Sequence, residues 1–185
     1  MGPRQVVLAS ANRGKQREFA ALFEGFGLEL LLQDSLDIAG AAETGTTFEA
    51  NALLKARHAA GRSRLPALAD DSGLEVDALH GRPGVYSARY AGESAGDADN
   101  NAKLLGELAG VPAADRTARY RCVLVLVRHE SDPAPLLAMI LPLSWARPVM
   151  RALRSGRNIR VWPTGVDTRS AMMVTGRSFS SESRA

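Results

Sequence analysis

The sequence predicts an α/β fold, and three observations carry that expectation. Short apolar runs of strand length alternate with segments whose apolar residues recur at helical spacing. The first such unit is complete: a strand over Gln5–Ala9, a loop over Ser10–Lys15, and a helix with Phe19, Leu22, Phe23 and Phe26 at i, i+3, i+4 and i+7. The strongest strand pattern, Arg119–Val127, ends in a continuous apolar run, as in a strand covered on both faces, and this places it centrally in a sheet.

Composition sets the outer limits. With 185 residues, 45% of them hydrophobic, the chain has enough apolar side chain for one good core and suits a single domain. No apolar run is long enough to span a membrane, no signal peptide is expected, and the protein is read as cytoplasmic. The single cysteine, Cys122, excludes a disulfide within the chain and is expected to be a small buried hydrophobe. Histidines 58, 80 and 129 lack metal-ligand spacing and are read as surface or turn residues. The net charge of +3 hides an asymmetry. Residues 1–137 carry 15 Lys and Arg against 18 Asp and Glu, whereas residues 138–185 carry eight Arg, no Lys and two acids. A shift of that size marks a boundary.

Taken in order, the loop Ser10–Lys15 joins a strand to a helix N-terminus. Its backbone N–H groups, with Lys15 as a mobile positive charge, make it a natural anion site. It is not a Walker A loop, because the first glycine is missing and Gln16 follows the lysine; an ordinary strand-to-helix turn accounts for it equally well. Leu28–Leu32 is the next strand. Thr46 and Glu49 have capping-box spacing, and the helix they open is expected to run to about Ala60, with Phe48, Ala52, Ala56 and Ala59 on its buried face. Asn51 and Lys55 share another face at i, i+4, either as a polar pair aimed at a cleft or as a solvated surface.

Leu65–Ala69 then enters the core as a strand, and Leu74–Ala78 alternates as a second one. Between them Asp70-Asp71-Ser72-Gly73 is expected to sit where the chain surfaces and turns. Adjacent strand side chains point to opposite faces, so the two carboxylates are not expected to share one role. One of them can hold a hard cation such as Mg²⁺; an Asx turn is the alternative. Gly81–Gly84 reads as a tight turn, and Asp97–Leu108 as a helix with Leu104, Leu105 and Leu108 inward.

Five separate motifs now coincide: Ser10-Ala11-Asn12-Arg13-Gly14-Lys15, Glu43-Thr44-Gly45-x-Thr47-Phe48, Asn51-Ala52-x-x-Lys55-Ala56, Ala69-Asp70-Asp71-Ser72-Gly73-Leu74 and Gly84-Val85-Tyr86-Ser87-Ala88-Arg89-Tyr90. In order and spacing the chain resembles the inosine triphosphate pyrophosphatase family over about residues 4–137. The resemblance implies an elongated mixed sheet with flanking helices and two lobes around a nucleotide cleft, usually in a homodimer. It implies Mg²⁺-dependent hydrolysis of ITP, dITP or XTP to the monophosphate and pyrophosphate. Carried over by motif, Ser10, Ala11, Asn12, Arg13, Gly14 and Lys15 cradle the phosphates and Ser72 contacts the substrate. Glu43 and Asp71 hold the metal, Asp71 is also the general base, and Asn51, Lys55 and Asp70 are supporting polar residues.

After Leu137 the resemblance stops. The family's Gly-x-Trp segment, its Gly-Phe-Gly-Tyr-Asp-Pro loop, and the lysine and Ser-His-Arg-Gly motif that read the 6-keto purine edge are missing from residues 138–185. Arg160-Val161-Trp162 is what codons for Gly-Phe-Gly give one base out of phase, and the tail is read as frame-shifted and poorly ordered. Leu141-Pro142-Leu143 and Arg147-Pro148 interrupt a helix, and Val149–Leu153 is too short to be stable alone. The alternatives are a catalytically impaired nucleotide-binding relic of the family, and a nucleic-acid-binding protein using the tail arginines. The latter is disfavoured because residues 1–137 are net acidic and the tail lacks lysine, so no nucleic-acid or membrane partner is expected.

Overall fold

The computed structural model describes residues 4–10, 12–23, 27–140 and 177–178. Strand β1 (Arg4–Ala9) buries Val7, Leu8 and Ala9, and helix α1 (Arg13–Phe23) follows it after a very short loop. Arg13, Gly14 and Lys15, expected in the loop, instead form the first turn of α1, because Asn12 caps the helix earlier than composition indicated. Ala11 and Phe26 lie outside the described residues. Strand β2 (Leu28–Leu32) leads through a short 3₁₀ turn, Gln33–Leu36, to helix α2 (Phe48–Ser63).

The cap of α2 is Thr47, whose hydroxyl accepts from the Ala50 amide at 3.1 Å, so the expected Thr46–Glu49 capping box does not form. The helix also continues through Gly61 and ends at Arg64, which takes the left-handed conformation (φ 58°) usual for a helix terminus. Phe48, Ala52, Ala56 and Ala59 are buried as their spacing predicts, and Asn51 and Ala60 are buried with them.

Strand β3 (Ala67–Val76) overturns the expectation of two strands separated by a turn. The Asp-Asp-Ser-Gly stretch lies within one uninterrupted ten-residue strand, with Asp70 2% and Asp71 6% exposed. A carboxylate pair reads as a turn in the sequence because burial of charge is costly; here each carboxylate meets a lysine, which makes the strand tenable. Both β2 and β3 pair with β1 in parallel, with Val6 opposite Leu30 and Ala9 opposite Ala69.

Because β2 and β3 flank β1 on its two sides, right-handed crossovers set α1 and α2 on opposite faces of these strands. The side chains agree. Consecutive residues of β3 reach the two helices separately: Asp70 meets Lys15 of α1, and Asp71 meets Lys55 of α2. Strand order reverses between β1 and β3, and in parallel sheets a ligand crevice opens beyond the carboxyl ends of strands at such a point.

The full strand order is β2-β1-β3-β4-β5-β6, with β4 (Ala118–Val127) inside the sheet as its apolar run predicts, β5 at Leu136–Ile140 and a two-residue β6 at Arg177–Ser178 antiparallel to it. Parallel and antiparallel pairs together make this a mixed α/β sheet. Two compact units divide the chain, one covering residues up to Asp71 and again Val123–Met139, the other Ser72–Cys122.

In the second unit, helix α3 (Asp97–Glu107) packs Leu104 and its cap Leu108 on Leu74, Val76 and Leu79. Leu105, expected inward, is only half-buried. Asn100 ties the Gly84–Arg89 turn to α3, accepting from the Ala91 amide and donating to the Ala88 carbonyl. Across β3 and β4, Arg119 bridges Glu75 and Asp77 while Arg121 also reaches Glu75. Cys122 is half-buried rather than enclosed. Nearly all the expectations for residues 138–185, including Leu141-Pro142-Leu143, the Val149–Leu153 segment and the tail's order, fall outside the described residues.

Candidate active site

The site is assembled where the carboxyl end of β1 lies beside the middle of β3. Since Ala9 is paired with Ala69, the chain leaves β1 at Ser10 at the level where β3 presents its two carboxylates. On one face Lys15 Nζ forms an ion pair with Asp70. On the other, Lys55 Nζ lies 2.8 Å from Glu43 Oε1 and 3.2 Å from Asp71 Oδ1. A single ammonium thereby joins the two carboxylates that the family resemblance nominates as metal ligands. The reading of Asn51 and Lys55 as a solvated helix face does not hold: Asn51 is fully buried and Lys55 is enclosed by acids.

Electrostatics follow from this enclosure. Burial pushes the Asp71 carboxyl above the ordinary carboxylate range; Lys55 opposes the rise, and the negative charge of Glu43 adds to it. For Lys55, burial works to lower the pKa, yet the charge of Asp71 and the hydrogen bond to Glu43 outweigh it and the net shift is upward. An acid with a raised pKa is a better proton acceptor near neutrality, which suits Asp71 to general-base work.

Asp71 Oδ2 is buried and has no hydrogen-bond partner. An orphaned carboxylate oxygen beside a second carboxylate fits a hard cation. Among the described residues no three His, Cys, Asp or Glu side chains cluster as a metal cage. Mg²⁺ usually takes one or two carboxylates and completes its shell with water and phosphate, so Glu43 and Asp71 are residues that could hold it.

At the anion loop, Asn12 Oδ1 accepts from the Gly14 amide at 2.8 Å and the Lys15 amide at 3.1 Å, and Ser10 Oγ accepts from the Asn12 amide at 3.3 Å. Several N–H groups expected to meet phosphate are therefore engaged by the loop itself. Gln16, not nominated from sequence, is buried and donates to the Ser10 carbonyl at 2.8 Å, holding the loop on α1; glutamine inside an apolar helix face was its only signal. Gly45 was also missed: its N–H donates to Asn51 Oδ1 at 2.7 Å. Ser72 belongs to the second unit, where its hydroxyl accepts from Tyr120 at 3.1 Å.

Lys15→Ala should weaken triphosphate binding more than nucleoside binding, by roughly 1.5–3 kcal/mol for one charge-assisted contact. Because the change also strands buried Asp70, the informative comparison is Lys15→Ala with Asp70→Asn, which removes the stranded charge. Equal losses for inosine and ITP by calorimetry in that double variant would rule out a phosphate role.

Known proteins share much of this sequence and fold. A dITP/XTP pyrophosphatase of Vibrio parahaemolyticus serotype O3:K6 is 59% identical over 134 residues, covering 72% of this chain and 67% of the relative. One from Photobacterium profundum is 56% identical over 133 residues, covering 72% and 68%. Among solved structures, a HAM1 protein from Coxiella burnetii superposes with a TM-score of 0.71 at 43% identity, over 75% of this chain and 70% of that one. The Staphylococcus aureus Ham1 protein gives 0.62 at 37% identity, over 74% and 70%. The Ham1 family's sequence model matches residues 6–138, and with these relatives it shows that the chain belongs to the Ham1 family.

Proposed function

We propose that the chain hydrolyses deaminated purine nucleoside triphosphates (ITP, dITP and XTP) to the monophosphate and pyrophosphate, acting with Mg²⁺ as a homodimer in the cytoplasm. Asp71 carries the reading: a buried carboxylate with one oxygen on Lys55 and the other unpartnered, beside Glu43. The names of the relatives, dITP/XTP pyrophosphatases, supply the substrate class.

Glu43 and Asp71 would hold Mg²⁺, which supplies charge neutralisation on the phosphate oxygens when bound. Carried over from the family motifs, Ser10, Ala11, Asn12, Arg13, Gly14 and Lys15 would bind the phosphates and Ser72 would contact the nucleotide. Lys55 lies between the two carboxylates and opposes the upward shift that burial and Glu43 impose on Asp71. Asp71 then takes the proton of the attacking water. Incubating the chain with dITP, XTP and dGTP, with Mg²⁺ or with a chelator, tests the reading: equimolar monophosphate and pyrophosphate are expected, and release of orthophosphate alone would overturn it. Sedimentation at micromolar concentration tests the dimer.

The second reading, an impaired nucleotide-binding relic, is favoured by the missing base-reading motifs in residues 138–185. Discrimination between purines depends on buried hydrogen-bonding groups that an unrelated tail does not supply. The 185-residue chain should therefore show kcat/KM values for ITP and GTP within about tenfold of each other. A chain whose reading frame is restored after Leu137 should regain the preference. Strong ITP preference in the chain as written, with a protease-resistant tail, would show that the tail is a working substitute.

A further inference from the structure

The two proposed metal ligands are held in different ways. Asp71 is fixed by strand β3 and its side chain is 9% exposed, whereas Glu43 stands in a loop without regular secondary structure and is 29% exposed. Mg²⁺ tolerates little error in its ligands, because it demands near-ideal octahedral geometry at about 2.0–2.1 Å. The loop that carries Glu43 must therefore be fixed by something else. Both carboxylates and the residues that hold them belong to one compact unit of the chain.

The grip comes from α2. Two residues after Glu43, the Gly45 N–H donates to Asn51 Oδ1 at 2.7 Å. A backbone N–H can only donate, so this contact also settles which end of the Asn51 amide faces the loop. Asn51 is fully buried near the start of the helix. The approach requires glycine: a Cβ at position 45 would come within 2.7 Å of Asn51 Oδ1 and 2.8 Å of the Ala50 Cβ. One helical turn further, Lys55 meets the Glu43 carboxylate at 2.8 Å and Asp71 at 3.2 Å. Residues 51 and 55 share one helix face, so a single rigid element grips the loop by its backbone and Glu43 by its side chain.

We propose that Asn51 is a positioning residue for the metal site proposed above, on which this inference rests. Its amide oxygen, locked on the Gly45 N–H, sets where the Glu43 carboxylate stands relative to Asp71. In this role Asn51 acts through Glu43 and touches neither cation nor phosphate. Without the contact, Glu43 depends on Lys55, whose ammonium rides on a flexible four-carbon stem and fixes position poorly. Partners that stand behind a metal's ligands and orient them carry about 10–100-fold in affinity.

The test is Mn²⁺ binding, read by electron paramagnetic resonance with the metal alone and no nucleotide. Asn51→Ala should weaken Mn²⁺ binding about tenfold or more. In a Glu43→Gln background the same change should cost less than about twofold, because the residue through which Asn51 acts is already disabled. A general loosening of the fold would instead add its loss in both backgrounds. Gly45→Ala leaves α2 unaltered but pushes the loop off Asn51; it should reproduce the loss, and it supplies the reading if Asn51→Ala does not fold. Undiminished affinity in either folded variant, losses that add to that of Glu43→Gln, or no Mn²⁺ binding by the unmodified chain overturns the proposal. Turnover is read separately. A chain with the expected binding pattern that releases no pyrophosphate from dITP keeps the positioning role and loses the hydrolase reading. Pyrophosphate release together with full Mn²⁺ affinity in Asn51→Ala does the reverse.

Discussion

Asp71→Asn should reduce dITP hydrolysis by about 10³-fold or more while leaving the fold intact. The replacement has the shape of aspartate but neither its charge nor a proton-accepting oxygen on the pocket side. Two functions are therefore lost in one change, the anionic ligand for the cation and the base for the water. Stability should respond far less. Burial already disfavours ionised Asp71 in the folded protein, and a neutral amide removes that penalty while giving up the attraction of Lys55. The melting temperature is thus expected to move by only a few degrees, and Asp71→Glu, which keeps the charge but displaces it by one methylene, should also be severely impaired. Turnover by Asp71→Asn within tenfold of the parent would remove Asp71 from the chemistry.

Lys55→Met should have the largest combined effect on stability and pH dependence. The lysine sits between Glu43 and Asp71, and its removal takes away the ammonium that both acids share. Breaking such an enclosed pair by deleting one partner costs about 3–5 kcal/mol when burial is complete; the partial exposure of Glu43 brings the expectation nearer to 2 kcal/mol.

The sign with pH is determined. Asp71 already titrates above its ordinary value, and without Lys55 it titrates higher still. A carboxyl whose folded pKa is raised favours the fold below its unfolded pKa, and that advantage disappears as pH rises through the folded pKa. The variant should therefore be closest to the parent in acid and fall progressively behind as pH rises through the elevated Asp71 pKa. The gap should narrow again only in strong alkali, where the parent loses the contribution of its own raised Lys55. The acidic limb of the activity profile should move to higher pH for the same reason, because the base stays protonated longer. Thermal melts and rates across pH check both, and a limb that stays in place would show that Lys55 does not govern Asp71.

Local pattern alone determined a good deal of this protein. β1, β2, the buried alanine face of α2 and the interior position of β4 follow from apolar periodicity, because burial of a face is a property of residue spacing. The same spacing placed Asn51 and Lys55 on one helical face, and the alternation of a strand separated the roles of Asp70 and Asp71. What sequence could not decide was where charge is tolerated. Asp70-Asp71-Ser72-Gly73 has the composition of a turn, and only the arrival of Lys15 from one helix and Lys55 from another, at separations of 55 and 16 residues, allows it to run as a buried strand.

The shift of the α2 cap from Thr46 to Thr47 and the use of Asn12 to start α1 early were likewise decided by competition among neighbouring caps, each equally able to satisfy the first turn. Gly45 stands in one of the five motifs, but spacing and composition assigned it no role of its own. Its role lies in an absent side chain and a backbone N–H 2.7 Å from Asn51, a contact between a loop and a helix that exists only once the tertiary structure has brought them together.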